Sequence, residues 1–313
     1  MKEAKRNDKV ISWLKIIRIQ FYPMALIAYS LGASLAFMSS GKFNLPVYSA
    51  GYVILFLIEL LTILCNEYFD YYTDCANKNF SPFTGGTRML VEGKITFREV
   101  KYASLVVSVL IVVLACWLHN SAAEAAKIPV LILVLLGLIM GVGYTAPPLK
   151  FCYRGLGEFV VSTTHSPFVI MCGYIFQTGR WSDPLPWLLS VPLFFAVLGA
   201  NTLAGIPDHK ADFTVSKRTL PVILGPRMAA SLAIIFITVA AATDMMLWYY
   251  GIITGYAGAA LLLVIPHAII LWLSIYRLIR AGNFDRKINS IMQLALSYII
   301  WFGIIPLICI IWK

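Results

Sequence analysis

Residues 61–74 read LTILCNEYFDYYTD, and within them Asn66, Asp70 and Asp74 stand at every fourth position. On a helix this interval lines three oxygen-bearing side chains along one face. A second stretch, 201–212, reads NTLAGIPDHKAD, and Asp208 and Asp212 repeat the interval. Like charges four residues apart repel by roughly a few tenths of a kcal/mol even in water, and by more beside lipid. Such an arrangement is unfavourable without a cation. The donors are all oxygens, with no His or Cys clustered beside them, which points to a hard ion, Mg²⁺ rather than Zn²⁺. Mg²⁺ keeps few protein ligands and shares its shell with substrate phosphates. Basic residues stand in the neighbouring segments: Arg88 in SPFTGGTRML, Lys150 and Arg154 in YTAPPLKFCYRGLGE, Lys217 and Arg218 in SKRTLPV. Carboxylates, a divalent metal and several cations together make a diphosphate site, because metal and basic side chains neutralise phosphate charge. Either cluster alone reads equally well as a solvated helix end. Two of them with matching spacing do not.

The elements that must position these residues follow from hydropathy. The chain has 313 residues, 60% hydrophobic and only 13% charged, with mean hydropathy +0.80. Soluble domains carry about 25% charged residues, so a soluble enzyme is excluded, as is a disordered chain. A hydrocarbon core needs about 20 helical residues to cross. Apolar runs of that length lie at about 16–38, 48–70, 102–118, 127–146, 157–177, 186–206, 228–248, 251–276 and 291–312. The expected fold class is therefore all-α integral membrane, nine transmembrane helices in one domain over 1–313. The first run is too long, and too interrupted by Lys15 and Arg18, for a cleaved signal peptide. The six cysteines show no framework spacing and read as small buried hydrophobes.

With nine spans, 21 of the 25 Lys and Arg fall on one side of the membrane; only Lys42, Lys127, Arg180 and Lys313 fall on the other. By the positive-inside rule the N-terminus and the loops 71–101, 147–156, 207–227 and 277–290 are expected in the cytoplasm. The net charge of +10 is thus assigned to the bilayer surface and not to nucleic acid. Both acidic clusters lie on the basic side, and ionisable groups near membrane depth are functional by default.

The stretch NEYFDYYTD resembles the first Asp-rich motif of the UbiA-type intramembrane prenyltransferases, NDxxDxxxD. PDHKAD with the following SKRTLPV is similar to their second, DxxxD with a trailing Lys. GGTRML and YTAPPLKFCYRGLGE are similar to their other two loops, and YRGLGE with KRTLPV most resembles the branch acting on dihydroxynaphthoate in menaquinone synthesis. That branch often carries Asn-x-Arg before its second acidic pair, where this chain has Gly205, Ile206 and Pro207. The resemblance implies helices around a central cavity open to lipid on its side, capped by loops at about 71–101 and 207–227. It implies Mg²⁺-dependent transfer of a polyprenyl group from its diphosphate donor to an aromatic quinone-precursor acceptor. Asn66, Asp70, Asp74, Asp208 and Asp212 would hold the metal. Arg88, Lys150 and Lys217, with Arg154 beside them and Asn66 at the metal edge, would bind diphosphate. The four aspartates and Lys150 would carry the chemistry. Glu67 replaces the motif's Asp, reaches one methylene further, and is not counted.

An allylic cation formed in a dry cavity is steadied by aromatic faces, and Tyr68, Phe69, Tyr71, Tyr72 and Tyr144 are near enough in sequence to serve. Glu59 lies mid-span, either bonded to a neighbouring helix or lining the cavity floor. Glu158 is expected to pair with a loop Arg or Lys, and His209 to pack or hydrogen-bond locally. His119, His165 and His267 form no pair at helical spacing, and Asp244 has no functional reading. Two rivals remain: a membrane terpene cyclase with the same ionisation chemistry, and an ion or solute transporter. A transporter places ionisable groups at mid-membrane within inverted repeats, whereas here the charges ring one face.

Overall fold

The computed structural model describes residues 2–254 and 258–312. Its helices in chain order are α1 (Lys2–Ile17), α2 (Tyr22–Ser40), α3 (Leu45–Phe69), α4 (Tyr71–Ala76), α5 (Phe97–Ser121), α6 (Glu124–Val142), α7 (Gly157–Thr163) and α8 (Val169–Thr178). The remainder are α9 (Pro184–Ala204), α10 (His209–Thr214), α11 (Leu220–Leu224), α12 (Pro226–Tyr249), α13 (Val264–Ala281) and α14 (Asn289–Ile311). Among the described residues nine helical segments are long and apolar enough to cross a membrane, at the nine expected places. Residues 255–257 of the expected eighth span, and Lys313, lie outside the described residues.

Three of the spans start at polar caps. Asn44 accepts from the Val47 amide at 3.2 Å ahead of α3. Thr96 and Glu99 close a capping box on α5, and Asp183 caps α9. Each satisfies an amide that the first helical turn leaves without a partner. Large apolar side chains cover the outside: Val109 and Val113 on α5, Leu135 on α6 and Ile269 on α13 are each more than half exposed. A coat of that extent matches lipid, not water. Inside, α2 packs against α8, α9 against α12 and α3 against α5, around fully buried Tyr29, Tyr174, Phe176 and Phe302.

Three spans are interrupted, the first and second at the polar end of the bundle and the fifth near its middle. The first breaks at Arg18, a left-handed residue (φ 53°) between α1 and a single 3₁₀ turn. The fifth joins α7 to α8 through a π turn, Thr164–Phe168, containing Pro167. The second stops at Asp70, whose backbone (φ −92°, ψ 8°) leaves the helix before α4 resumes it. Asn66, Asp70 and Asp74 therefore sit on a helix, a break and a second short helix, with the Asp70 amide still bonded to the Asn66 carbonyl and the Asp74 amide to the Asp70 carbonyl, each at 2.9 Å. Asp212 lies in α10 and Asp208 immediately precedes it at the N-cap, both beyond the end of the sixth span.

The long loops meet one another. Asn79 donates to the Pro207 carbonyl at 3.3 Å, Lys210 is paired with Asp285, and the Lys287 ammonium lies 4.9 Å from the Phe80 ring centre. At the opposite end the short connections join in the same way, through hydrogen bonds between Asn44 and Gln177.

Candidate active site

A polar chamber of about 190 Å³ lies beneath these loops. Asn66, Asp70, Asp74, Asp208, Asp212 and Lys217 all line it, so the two acidic motifs face each other across one space. The straps between them are reciprocal. Lys217, which follows the second motif, reaches Asp70 of the first at 2.9 Å and stands 4.0 Å from Asp212. Tyr153 donates to the other oxygen of Asp70 at 2.7 Å. In return Asp208 of the second motif accepts from Asn77 at 2.8 Å and from the Gly85 amide at 2.9 Å.

The neighbouring amide, Gly86, donates to Asp74 at 3.0 Å. A Cβ at Gly86 would stand 1.9 Å from Asp74 Oδ2, and Gly85 is left-handed (φ +67°). Only glycines let this loop approach a carboxylate so closely at that conformation. Arg88 completes the turn: it is left-handed (φ 64°), its guanidinium donates to the Asp74 carbonyl at 2.6 Å, and it lies 4.3 Å from the Phe80 ring centre.

The charges are unevenly compensated. Burial, reinforced by Glu67 and Asp70, raises the Asp74 carboxyl to about 7 despite the Gly86 amide. Burial, with Asp208 and Asp70 adding to it, raises Asp212 to about 7 although Lys217 is near. Burial also raises Asp208, against the pull of Asn77 and Gly85. Burial opposes the Lys217 ammonium, yet Asp70 and Asp212 outweigh it and hold its pKa well above the ordinary lysine value. The chamber thus holds more acid than base, which is a site awaiting positive charge.

Among the described residues no three His, Cys, Asp or Glu side chains are set to hold a metal ion by themselves. The donor set still fits Mg²⁺, which is bound through one or two carboxylates with phosphate oxygens completing the shell.

The other expected basic residues stand outside the chamber lining. Lys150, left-handed (φ 47°), places its ammonium 4.8 Å from the Tyr153 ring centre. Arg154 is exposed and donates to the Pro148 carbonyl at 2.8 Å. Arg18 lines the chamber instead, although in the sequence it is one more loop charge. Glu67 lines it too and accepts from the Thr87 amide at 2.7 Å. Glu158 also faces it, bonded to the Leu220 amide at 2.7 Å and not to a loop Arg or Lys. His209 bonds the Ile206 carbonyl locally, as expected. Of the five aromatic candidates only Tyr144 reaches the chamber; Tyr68, Phe69 and Tyr72 are exposed.

Two apolar arms adjoin the chamber. One, of about 210 Å³, is entered past Asn66 and Tyr144 and lined by Ile58, Met140 and Phe168. The other, of about 420 Å³, begins at Arg18 and Asn201 and ends at exposed Ile300, on the side of the bundle. A charged head and an apolar tail thus have adjacent places.

Known proteins share this architecture. A UbiA homolog from Archaeoglobus fulgidus bound to GPP and Mg²⁺ superimposes with a TM-score of 0.61 at 15% identity, over 96% of this chain and 99% of that one. A UbiA homolog from Aeropyrum pernix in its apo form gives 0.63 at 18% identity, over 90% and 96%. Among curated proteins, the 1,4-dihydroxy-2-naphthoate octaprenyltransferase of Escherichia coli is 29% identical over 68% of each chain. A 2-carboxy-1,4-naphthoquinone phytyltransferase of Arabidopsis thaliana is 26% identical over 61% of this chain and 46% of its own. A UbiA prenyltransferase domain-containing protein 1 of Dictyostelium discoideum is 25% identical over 62% and 58%. The chain spans about half the length of these last two relatives. Residues 25–297, most of the sequence, match the model of the UbiA prenyltransferase family, and the chain belongs to that family.

Proposed function

We propose that this protein transfers a polyprenyl group from its diphosphate to an aromatic quinone precursor within the membrane, with Mg²⁺ as cofactor. The observation that carries the reading is the pair of acidic motifs facing each other, with Lys217 buried between them, at the mouth of two apolar arms. When bound, Mg²⁺ would neutralise phosphate charge and stabilise the leaving oxygen. Asn66, Asp70, Asp74, Asp208 and Asp212 would hold it. Lys217 supplies a fixed cation for the charge that grows on the departing diphosphate, with Arg18 at the same wall. The Gly85 and Gly86 amides hold Asp208 and Asp74 in place before substrate arrives. Arg88 acts through the Asp74 backbone, and Lys150 acts from the rim beside Tyr153, whereas Arg154 is turned to the Pro148 carbonyl of its own loop. Tyr144 lines both the chamber and the narrower arm, where an aromatic face steadies an allylic cation. The apolar walls keep water from that cation.

The 21-to-4 distribution of basic residues supports a cytoplasmic N-terminus and a site under the cytoplasmic loops. Cysteines introduced at Lys94 or Lys287 resist an impermeant thiol reagent in intact cells, while those at Lys127 or Arg180 react; the reverse pattern inverts the orientation. Purified protein incubated with labelled geranylgeranyl diphosphate, Mg²⁺ and 1,4-dihydroxy-2-naphthoate is expected to yield a prenylated ring. A cyclised hydrocarbon, or no turnover with any aromatic acceptor, rejects the reading.

A further inference from the structure

Two ionisable side chains lie deep in the bundle, apart from the acidic chamber. Glu59 belongs to α3, seven residues and so roughly 10 Å before Asn66 along the helix axis. His165 belongs to the π turn in the fifth span, and turns of that kind are frequent at functional sites. The two meet across helices at 3.9 Å, His165 Nε2 to Glu59 Oε1, with side chains 32% and 17% exposed. Both line both apolar arms, so the pair stands in the wall where the cavity forks.

The ring's orientation is fixed. His165 Nδ1 lies 3.0 Å from the Val161 carbonyl, which can only accept, and 3.1 Å from the Thr164 hydroxyl. With that hydroxyl donating to the Val160 and Val161 carbonyls, the tautomer that satisfies every partner carries its hydrogen on Nδ1. Nε2 is then the basic nitrogen of the neutral ring. At 3.9 Å its distance to Glu59 is too long for a direct hydrogen bond, which leaves that nitrogen free to receive one from a third group. Placing such a pair against a hydrocarbon chain costs free energy, because the chain returns no hydrogen bond. The wider arm also presents Arg18, Asn201 and Ser297. Its occupant therefore brings polar groups of its own.

Resting on the prenyltransferase reading, we infer that Glu59 and His165 seat the aromatic acceptor in the wider arm and take the proton of its ring hydroxyl. The hydroxyl proton passes to His165 Nε2, and the Glu59 carboxylate stabilises the imidazolium that forms. The electron pair left on oxygen feeds the ring. A ring carbon bonds to C1 of the prenyl group as the C1–O bond breaks, its pair leaving on the diphosphate. The hydrogen on that ring carbon then departs as a proton with the diphosphate, and the imidazolium returns its own proton to the ring oxygen. No oxidant or reductant is needed, and the pair ends as it began.

The test uses the full-length protein in lipid nanodiscs, with geranylgeranyl diphosphate, Mg²⁺ and dihydroxynaphthoate acceptors carrying ring fluorines that make the hydroxyl progressively more acidic. Glu59→Gln and His165→Gln, each checked for wild-type thermal unfolding, are expected to lower transfer by about 100-fold, the usual reach of a general base. The KM for the donor should stay within about threefold, since the pair touches the acceptor alone. The deficit should narrow as the acceptor hydroxyl grows more acidic, which a merely structural role would not produce. Should one variant fail to fold, the other carries the test. A deficit constant across the acceptor series, or wild-type transfer by both variants, overturns the assignment. A wild-type enzyme that makes only cyclised hydrocarbon overturns it while leaving the ionisation site standing. One that releases no diphosphate overturns the proposed function itself, and the pair's role with it.

Discussion

Asp70 and Asp208 are strapped, whereas Asp74 and Asp212 are loaded. In the sequence the four look alike, two pairs at one spacing. In the structure Asp70 is neutralised by Lys217 and bonded by Tyr153, and Asp208 takes hydrogen bonds from Asn77 and Gly85. Asp74 has one amide, Asp212 one hydroxyl at 3.2 Å, and both carboxyls are pushed up to about 7 by burial. Each motif thus has one member that holds the two halves together and one that stores unspent negative charge. The difference teaches that identical residues at identical spacing serve opposite ends: one builds the chamber, the other creates its demand for a cation.

That contrast breaks most visibly in turnover. Asp74→Asn and Asp212→Asn should each reduce prenyl transfer by about a thousandfold, roughly 4 kcal/mol of lost charge stabilisation. Activity within tenfold of wild type would show that these carboxylates do not serve the leaving group. Next in size is stability without metal. Asp70→Asn strands Lys217 and should cost about 3 kcal/mol, the low end for breaking a buried pair, because Asp212 remains near. Asp74→Asn relieves burial of a charge and the repulsion of Glu67 and Asp70, and its amide oxygen can still accept from Gly86, so the metal-free melting temperature should be unchanged or higher. Equal losses would erase the distinction between strapped and loaded.

The pH dependence sharpens it further. Asp74 and Asp212 bind their protons more tightly folded, at about 7, than at the ordinary 3.8. Their contribution to metal-free stability is therefore complete below about pH 4 and lost as pH rises to about 7. Melting temperatures recorded across that window should fall with rising pH, and fall less in Asp74→Asn. The smallest effect belongs to Arg154→Ala. That residue is exposed and bonded only to a carbonyl of its own loop, and transfer should stay within about twofold. A larger loss would bring the rim into the diphosphate site.

The spans were legible because lipid imposes a length and an apolar composition that few other structures satisfy. The acidic motifs were legible because carboxylates beside an apolar run have no bland purpose twice over. Spacing, however, reports neighbours along one helix and not which helix ends meet. It implied one helix through Asn66, Asp70 and Asp74, which breaks at Asp70 although all three still line one chamber. It treated Arg18 as a loop charge, though a left-handed turn sets it at the chamber wall. The left-handed non-glycine residues suggest where a signal lay: Arg88 and Lys150 adjoin the Gly–Gly and Pro–Pro turns that made their loops stand out. The sequence leaves Glu59 between a neighbouring helix and the cavity floor and does not join it to His165, because 106 positions separate them and nothing in either segment names the other.

The Gly85 amide reaches Asp208 across 123 positions, and Lys217 reaches Asp70 across 147. A nascent chain that has inserted five spans possesses neither partner. Its first acidic turn is then already at the membrane edge without Lys217, the cation that pairs with Asp70, and with no second wall to close the chamber. Completion waits for the sixth span and the loop that follows. A ribosome-bound or truncated fragment that ends before the sixth span accordingly lacks the residues of the chamber's second wall, Asp208, Asp212 and Lys217.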